Sequence, residues 1–429
     1  MIEATGSPRE AASVLFDLPG YRVIDAVDRP GQVRQVTIAS TATEAACPSC
    51  GVLSARVHQR VRQRLADVPI AGAVEVVLVK RRFTCAEQLC ARRTFVEATD
   101  EVPRRARVTT RLRRAVLEAV VTAGRVVAEV ASGHGGSWWT VQKTVNAAAD
   151  RLTDPDTVRI RRLGIDEHRY RQVRFFRDPA GGWRRYEPWM STLVDADTGR
   201  VLGVVDGRDS AGVGAWLAAR SQAWRDTVEV VAIDPSAAFR RALREHLPAA
   251  AISVDAFHLV KLANNMVTAV RQRVVRDRTG RRGRGVDPAW VNRRLLLRAG
   301  DTLSPRGLAR LKATLRTDDP TDEIGAAWGI KEQLRRLLTS ASLAEAAEQK
   351  MLLGLYVLAA DMPESNRLWA TIDAWWEAIE VLIVTGVTNA RTEAANTGIK
   401  QTKRTGRGYR NPAHYRARIL LAGAARSAA

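Results

Sequence analysis

Val228-Glu229-Val230-Val231-Ala232-Ile233-Asp234 is continuous enough in β-branched residues to form a strand buried on both faces, and it stops on a carboxylate. A second apolar run, Arg162-Leu163-Gly164-Ile165-Asp166, also ends on an aspartate. A third acid, Glu393, lies in Asn389-Ala390-Arg391-Thr392-Glu393-Ala394-Ala395-Asn396, a stretch of good helix formers. Strand ends are rigid mounts, so three acids from distant parts of the chain are expected to converge, the third carried by a helix packed beside the strands.

The segments around these runs set the topology. After Asp166 comes a polar, basic stretch, then apolar residues 188–194, a turn at Asp195-Ala196-Asp197-Thr198-Gly199 and a second apolar run at 201–205, which together read as an antiparallel hairpin. Helices are expected over 211–224 and 236–245, and a last strand over 251–254. An antiparallel front followed by β-α-β-α is the order of an RNase H-like domain, in which the first and fourth strands lie side by side. That order makes Asp166 and Asp234 neighbours. Two divalent ions about 3.5–4 Å apart are what phosphodiester cleavage uses, and hard carboxylate oxygens suit Mg²⁺ or Mn²⁺. Asp166 is then the bridging ligand, with Asp234 and Glu393 completing one ion each. Two other readings stand beside this one: Asp234-Pro235-Ser236 can begin a helix, and Asp255 is a rival for the second acid. Asp255 and His258 lie at one helix start, as accessory residues, and Glu167 and His168 flank the first acid.

The interval between the second and third acids is too long for a loop. Residues 286–380 are helical in pattern and contain Trp290, Trp328, Trp369, Trp375 and Trp376, so an all-α insertion is expected.

Charge identifies the partner class. The 429 residues carry a formal net charge of +21 and 46% hydrophobic residues, which implies several folded domains and a polyanionic partner. An Arg-rich composition also arises in GC-rich genomes, so charge alone does not decide. No stretch is long and apolar enough to span a bilayer, and Glu3, Arg9 and Glu10 precede any apolar run, so no leader pattern is seen and a cytoplasmic, nucleoid-associated protein is expected. Lys400, Lys403, Arg404 and Arg407 crowd the segment after Glu393 with Gly406, Gly408 and Tyr409 among them, as if phosphates lie between the acid and the cations.

The cysteines come in two pairs, Cys47 with Cys50 and Cys85 with Cys90, an arrangement suited to one tetrahedral structural Zn²⁺. Strands are expected over 33–38 and 75–83, leading toward the two turns; His58 is a less favoured ligand. Downstream, a helix over 109–121, a short helix over 126–131, a break at Gly133-His134-Gly135-Gly136 and a helix from Ser137 have the layout of a helix-turn-helix DNA reader. Ser137, Thr140, Gln142 and Lys143 are expected on its DNA face, with Val141 and Val145 packed inward. An ordinary three-helix bundle is the alternative.

The chain resembles the ISL3 family of insertion-sequence transposases over nearly its whole length. The matching motifs, in order, are Cys47-Pro48-Ser49-Cys50-Gly51, Val57-His58, Asp67-Val68-Pro69, Arg81-Arg82-Phe83-Thr84-Cys85, Arg93-Thr94-Phe95, Gly164-Ile165-Asp166-Glu167, Asp255-Ala256-Phe257-His258-Leu259-Val260-Lys261 and the run 389–411. The resemblance implies a zinc-binding N-terminus and a helix-turn-helix that bind terminal inverted repeats, and a DDE catalytic domain with Asp166, Asp234 and Glu393 as its triad. The family commonly has an aromatic residue after the second acid, and Phe239 is the equivalent here. The expected architecture is multidomain α+β: a zinc-ribbon region over 1–103, a helix-turn-helix over 104–153, an RNase H-like core over 158–270, an all-α insertion over 271–384, and over 385–429 the Glu393-bearing second part of the core and a basic C-terminus. The implied partners are double-stranded DNA at transposon ends and target, and a second copy of the chain, because two ends must be synapsed. A structure-specific nuclease of the same fold and a domesticated DNA-binding regulator are the alternatives.

Overall fold

The computed structural model describes residues 8–28, 30 and 33–428, so part of the N-terminal stretch read for a leader lies outside the described residues. The chain divides into two compact units, one made of residues 1–152 with 401–425, the other of 153–400 with 426–429. No helix among the described residues is long and apolar enough to cross a membrane.

In the first unit a five-stranded sheet is built on the long strand Val74–Thr84, which pairs with Arg34–Ser40 in parallel and with Val57–Leu65 and Thr94–Val96 antiparallel; Tyr21–Val27 pairs outside Arg34–Ser40. Near its start this strand contributes Val76 and Leu78 to a core with Phe16, Tyr21, Val36 and Ile38. Near its end Phe83 stacks on Phe95, ring centroids 5.8 Å apart, in a small core completed by cysteine sulfurs. Asp67, fully withdrawn from solvent, accepts hydrogen bonds from the Thr109 hydroxyl at 2.6 Å and from Arg111 Nε at 2.8 Å. Arg111 also donates to the carbonyls of Phe16 and Asp17. The Asp67-Val68-Pro69 motif thus ties the sheet to the following helix through a charge pair that leaves no buried donor or acceptor idle.

That helix, Thr110–Val121, starts at Thr109, whose side chain accepts from the Leu112 N–H as an N-cap. Val127–Gly133 and Trp138–Ala149 follow, the last capped by Ser137. Gly135, at φ +60°, takes the left-handed conformation that turns the chain between them. Leu112, Val116, Val120, Val130, Val141 and Val145 close a common core, which Leu421 of the C-terminal helix Pro412–Ala428 enters as well. The segment 385–429, expected to hold the second part of the catalytic core and a basic C-terminus, is divided: residues 401–425 group with the N-terminal unit, where Leu421 is buried.

The second unit is organised on a five-stranded sheet in the order Val201–Asp206, Trp189–Asp195, Arg162–Arg169, Val230–Ile233, Ala251–Val254. The first two pairings are antiparallel and the last two parallel, with Ile165 opposite Ile233. The helix expected over 211–224 is two pieces, Ser210–Ala218 and Gln222–Arg225, because Ser221 caps a new helix by accepting from the Trp224 N–H at 3.2 Å. Ala256–Thr279 is one continuous helix, so the expected boundary at 271 falls inside an element. The following segment is helical from Pro288 to Thr385, but it does not form a separate core: Ile330, Leu334, Ile372 and Ile379 belong to the same apolar cluster as Ile165 and Ile233 of the sheet. Charge ties it to the long helix too, Arg273 bridging Glu323 at 2.8 Å and Glu364 at 2.9 Å.

Candidate functional site

Asp166 lies on the central strand of the second sheet, opposite Thr192, and Asp234 follows the adjacent strand, whose last paired residue, Ile233, faces Ile165. Ser236, not Asp234, caps the helix Ala237–His246 by accepting from the Phe239 N–H, which leaves the Asp234 carboxylate available to the site. Phe239 is fully buried in the sheet-and-helix core, so the aromatic residue after the second acid anchors the helix that follows it.

The helix Ala390–Thr405 lies against the central strand at Gly164. A Cβ there would run into Thr392 Oγ1, so the close approach demands glycine. Just before that helix Asn389 Nδ2 donates to the Ile165 carbonyl at 3.1 Å and to Asp234 Oδ1 at 3.3 Å. Asn396 Nδ2 donates to Asp166 Oδ2 at 2.6 Å, while Asp166 Oδ1 accepts from the Glu167 N–H at 2.7 Å. Behind Asn396, the buried Thr192 hydroxyl donates to its Oδ1 at 3.0 Å and sits 3.0 Å from His168 Nδ1. His168, expected beside the acids, instead supports them from the interior. Asn389, Thr392 and Asn396 are residues of the candidate site that the sequence reading did not single out; their spacing, which puts them on one face beside Glu393, was the signal.

His258 joins the acids. Its Nε2 is 2.9 Å from Asp234 Oδ2, its Nδ1 3.0 Å from Asp255 Oδ2, and Glu393 Oε1 is 3.9 Å from Nδ1. Hydrogen bonds to Asp234 and then to Asp255 push His258 up to about 10, which favours its protonated form. Burial, then the Asp234 carboxylate, raises the Asp166 carboxyl above its ordinary range. Burial, then Asp166, does the same to Glu167, and burial, then Asp255, to Glu393. Carboxylates that raise one another in this way form a sink for cations. Two sets of ligand atoms lie within 4.8 Å of one another: Asp166, Glu167 and Asp234, and Asp234, Asp255 and His258. Asp234 belongs to both sets. Asp255 is the N-cap of Ala256–Thr279 and is nearly fully buried. Glu393 stands at the rim, half-exposed, facing His258. A cavity of about 380 Å³ opens beside the acids, lined by Glu167, Asp234 and His258 together with Lys261, the last residue of the Asp255–Lys261 motif, and Arg208, a cation the sequence reading did not single out. Lys400, exposed, follows Glu393 by two helical turns on the same helix.

In the first unit the four cysteines converge. Cys47 and Cys90 sulfurs are 4.0 Å apart and Cys50 and Cys85 sulfurs 3.6 Å. Sulfurs at the corners of a zinc tetrahedron with 2.3 Å bonds lie about 3.8 Å apart, so the cluster fits one structural Zn²⁺ with no position left for water. Against the burial that raises it, backbone N–H groups of Ser49 and Cys50 hold the Cys47 thiol down to about 6, toward the thiolate a metal needs. His58 lies outside this group.

On the helix Trp138–Ala149, Ser137 and Lys143 are exposed and Thr140 half-exposed, with Val141 and Val145 buried as expected. Gln142 does not join them. It is 3% exposed and donates to Asn146 Oδ1 at 2.8 Å, because position 142 follows Val141 round to the packed side of the helix. The outward row is 136, 139, 140 and 143, and it brings forward Trp139, 62% exposed. Arg407 reaches Glu129 Oε1 at 3.5 Å, and Arg404 is exposed. The strand Val57–Leu65 adds Arg60, Arg62 and Arg64, a basic row in the zinc-binding part that had not been anticipated.

A family model described as transposase, of the ISL3 group, matches residues 163–419, and one described as the zinc-finger of transposase IS204/IS1001/IS1096/IS1165 matches residues 43–90. The chain is 28% identical over 333 residues to the transposase for insertion sequence element IS1001 of Bordetella parapertussis, covering 74% of each. It is 24% identical over 314 residues to the transposase for insertion sequence element IS1557 of Mycobacterium tuberculosis (strain CDC 1551 / Oshkosh), covering 68% of this chain and 63% of that one. Among solved structures, the Drosophila P element transposase strand transfer complex aligns with 73% of this chain and 91% of its own at 11% identity and a TM-score of 0.35. The transposase match spans Asp166, Asp234, Glu393 and the residues that hold them, and the zinc-finger match spans all four cysteines: the chain belongs to the ISL3 family of insertion-sequence transposases.

Proposed function

We propose that this chain cuts DNA at the ends of the element that encodes it and joins the freed 3′-hydroxyls to a target, through an RNase H-like site in which Asp166, Asp234 and Glu393 hold two Mg²⁺ or Mn²⁺ ions. The observation that carries this reading is the parallel pairing of Ile165 with Ile233, which brings Asp166 and Asp234 together at one end of the sheet with ligand oxygens of Asp166, Glu167 and Asp234 within 4.8 Å of one another. Oxygen donors in a partly buried, acid-rich site fit hard divalent ions. Bound there, such ions supply activation of the attacking water or 3′-hydroxyl and charge relief for the leaving oxygen. Asn396 and the Glu167 N–H fix the Asp166 carboxylate, and Asn389 fixes Asp234 relative to the strand. Asp234 is preferred to Asp255 because Asp255 is committed to a helix cap. Arg208 and Lys261, across the cavity, receive the phosphate.

The remaining parts deliver DNA to that site. Zinc on Cys47, Cys50, Cys85 and Cys90 is structural. Ser137, Thr140 and Lys143 face the terminal repeat, and Lys400, Lys403, Arg404 and Arg407 contact the DNA backbone. Two copies or more synapse two ends. The test is a strand-transfer assay with end DNA and Mg²⁺, comparing the parent with Asp166→Asn, Asp234→Asn, Glu393→Gln and Asp255→Asn. The first three are expected to lose activity by about a thousand-fold, the several kcal/mol that a metal ligand set contributes. Each removes a charge from a crowded acidic site and so is expected to fold. Full activity in Asp234→Asn together with loss in Asp255→Asn would overturn the assignment.

A further inference from the structure

Between the Asp166 strand and its antiparallel neighbour the chain projects a two-stranded ribbon, Arg174–Arg177 paired with Trp183–Tyr186, all eight residues exposed. Its turn is ordered: Asp178 Oδ1 accepts from the Gly182 N–H at 2.8 Å, and the Asp178 N–H donates to the Gly182 carbonyl at 2.9 Å. The register decides what the ribbon presents. On one face Arg174 is opposite Tyr186 and Phe176 opposite Arg184; on the other Phe175 is opposite Arg185 and Arg177 opposite Trp183. Every cross-strand pair is one arginine with one aromatic ring.

A hairpin meant to pack on protein separates an apolar face from a polar one. This ribbon has no such face, and docking either side on an apolar surface would strand two guanidiniums out of water. Among the described residues no carboxylate pairs with Arg174, Arg177 or Arg184; Arg185 meets Glu187 at 2.7 Å. Arg177 lies over the Trp183 ring at 5.1 Å, and Phe176 and Tyr186 are 6.1 Å apart edge to face. Guanidiniums for phosphates, interleaved with rings for bases or sugars, match nucleic acid on both sides of the ribbon. A two-stranded ribbon also has the width that the major groove admits. The ribbon leaves the sheet from the same strand that carries Asp166, and that strand runs only three residues further, to Arg169.

We infer that the ribbon 174–186 inserts into duplex DNA beside the phosphate being cut, with Arg174, Arg177 and Arg184 on the backbone and Phe175, Phe176, Trp183 and Tyr186 against bases and sugars. This rests on the DNA-cutting reading above and adds a DNA contact to it.

The experiment places the photo-crosslinking residue p-benzoylphenylalanine at Trp183 of the full chain, in an Asp166→Asn background that leaves DNA uncut. The probe is a duplex spanning one end of the element and its flank. A parallel protein carries the crosslinker at Lys143. DNA crosslinks at 183, mapping next to the cleavage position, are expected. Crosslinks at 143 with none at 183, or crosslinks from 183 only to a second protein copy, overturn the inference and leave the DNA-cutting reading standing. No DNA crosslink at either position overturns both. In addition, Arg174→Ala/Arg177→Ala/Arg184→Ala, altered only at exposed positions, is expected to weaken binding of the same duplex by about tenfold or more. It should also reduce the slope of log affinity against log salt by about three. An unchanged slope sinks the assignment of these arginines to phosphates.

Discussion

Gly164 shows how much of the site depends on one missing side chain. The strand ending at Asp166 was legible because apolar residues run up to an acid, but the need for glycine was not, since the atom it makes room for, Thr392 Oγ1, lies on a helix far along the chain. The same distance in sequence hid the partners of Asn389 and Asn396, which are Ile165, Asp234 and Asp166. Gly164→Ala therefore overpacks the strand against the helix and is expected to destabilise the chain by about 1–3 kcal/mol. It should also lower DNA cleavage by displacing the residues that orient Asp166. Thr392→Ala removes the obstructing hydroxyl, so the double variant should recover more than half of the loss. Urea melts of the parent, the two single variants and the pair measure this coupling. Additive losses would show that the helix does not bear on the strand at this point.

At the scale of elements, the strand Val74–Thr84 serves two cores in succession. Its early residues Val76 and Leu78 are held by the apolar cluster of the sheet, and its last residues by Phe95 and the cysteine sulfurs. The strand and the paired cysteines were readable from β-branched content and spacing. The handover between cores was not, because periodicity reports that a residue is buried and not what buries it. The Arg–aromatic ribbon escaped for the opposite reason: with both faces exposed it has no apolar alternation to detect. The cysteine end is too small to bury enough surface for its own stability, so metal must supply the difference. Removing zinc with a chelator, or substituting Cys50→Ser, is expected to abolish amide hydrogen-exchange protection around 45–57 and 83–96 while 74–79 keep theirs. Loss along the entire strand would mean one core rather than two, and unchanged protection would remove zinc from the structure's support.

For the whole molecule, the order of segments in sequence is not the order in which they fold together. In sequence the cations Lys400, Lys403 and Arg404 follow Glu393 directly, as if phosphates lay between them and the acid. Yet residues of the helix Ala390–Thr405 fall in both compact units, and Leu421 beyond it joins the core of the helices Thr110–Val121, Val127–Gly133 and Trp138–Ala149. Amphipathic pattern identifies the helix Pro412–Ala428 but cannot say which of two apolar cores receives it. Leu421 decides: it is buried with Leu112, Val116, Val141 and Val145. Leu421→Ala should cost about 2–5 kcal/mol as a large-to-small change in a packed core, and the cost should fall on the N-terminal unit. Hydrogen exchange reads this directly. Amides of Thr110–Val121 and Trp138–Ala149 are expected to exchange about thirty-fold faster or more, the lower end of that cost, while the strands Arg162–Arg169 and Val230–Ile233 keep their protection. Equal acceleration in those strands would show that the two units do not unfold separately, and acceleration confined to them would put the C-terminal helix back with the unit that holds Asp166 and Asp234.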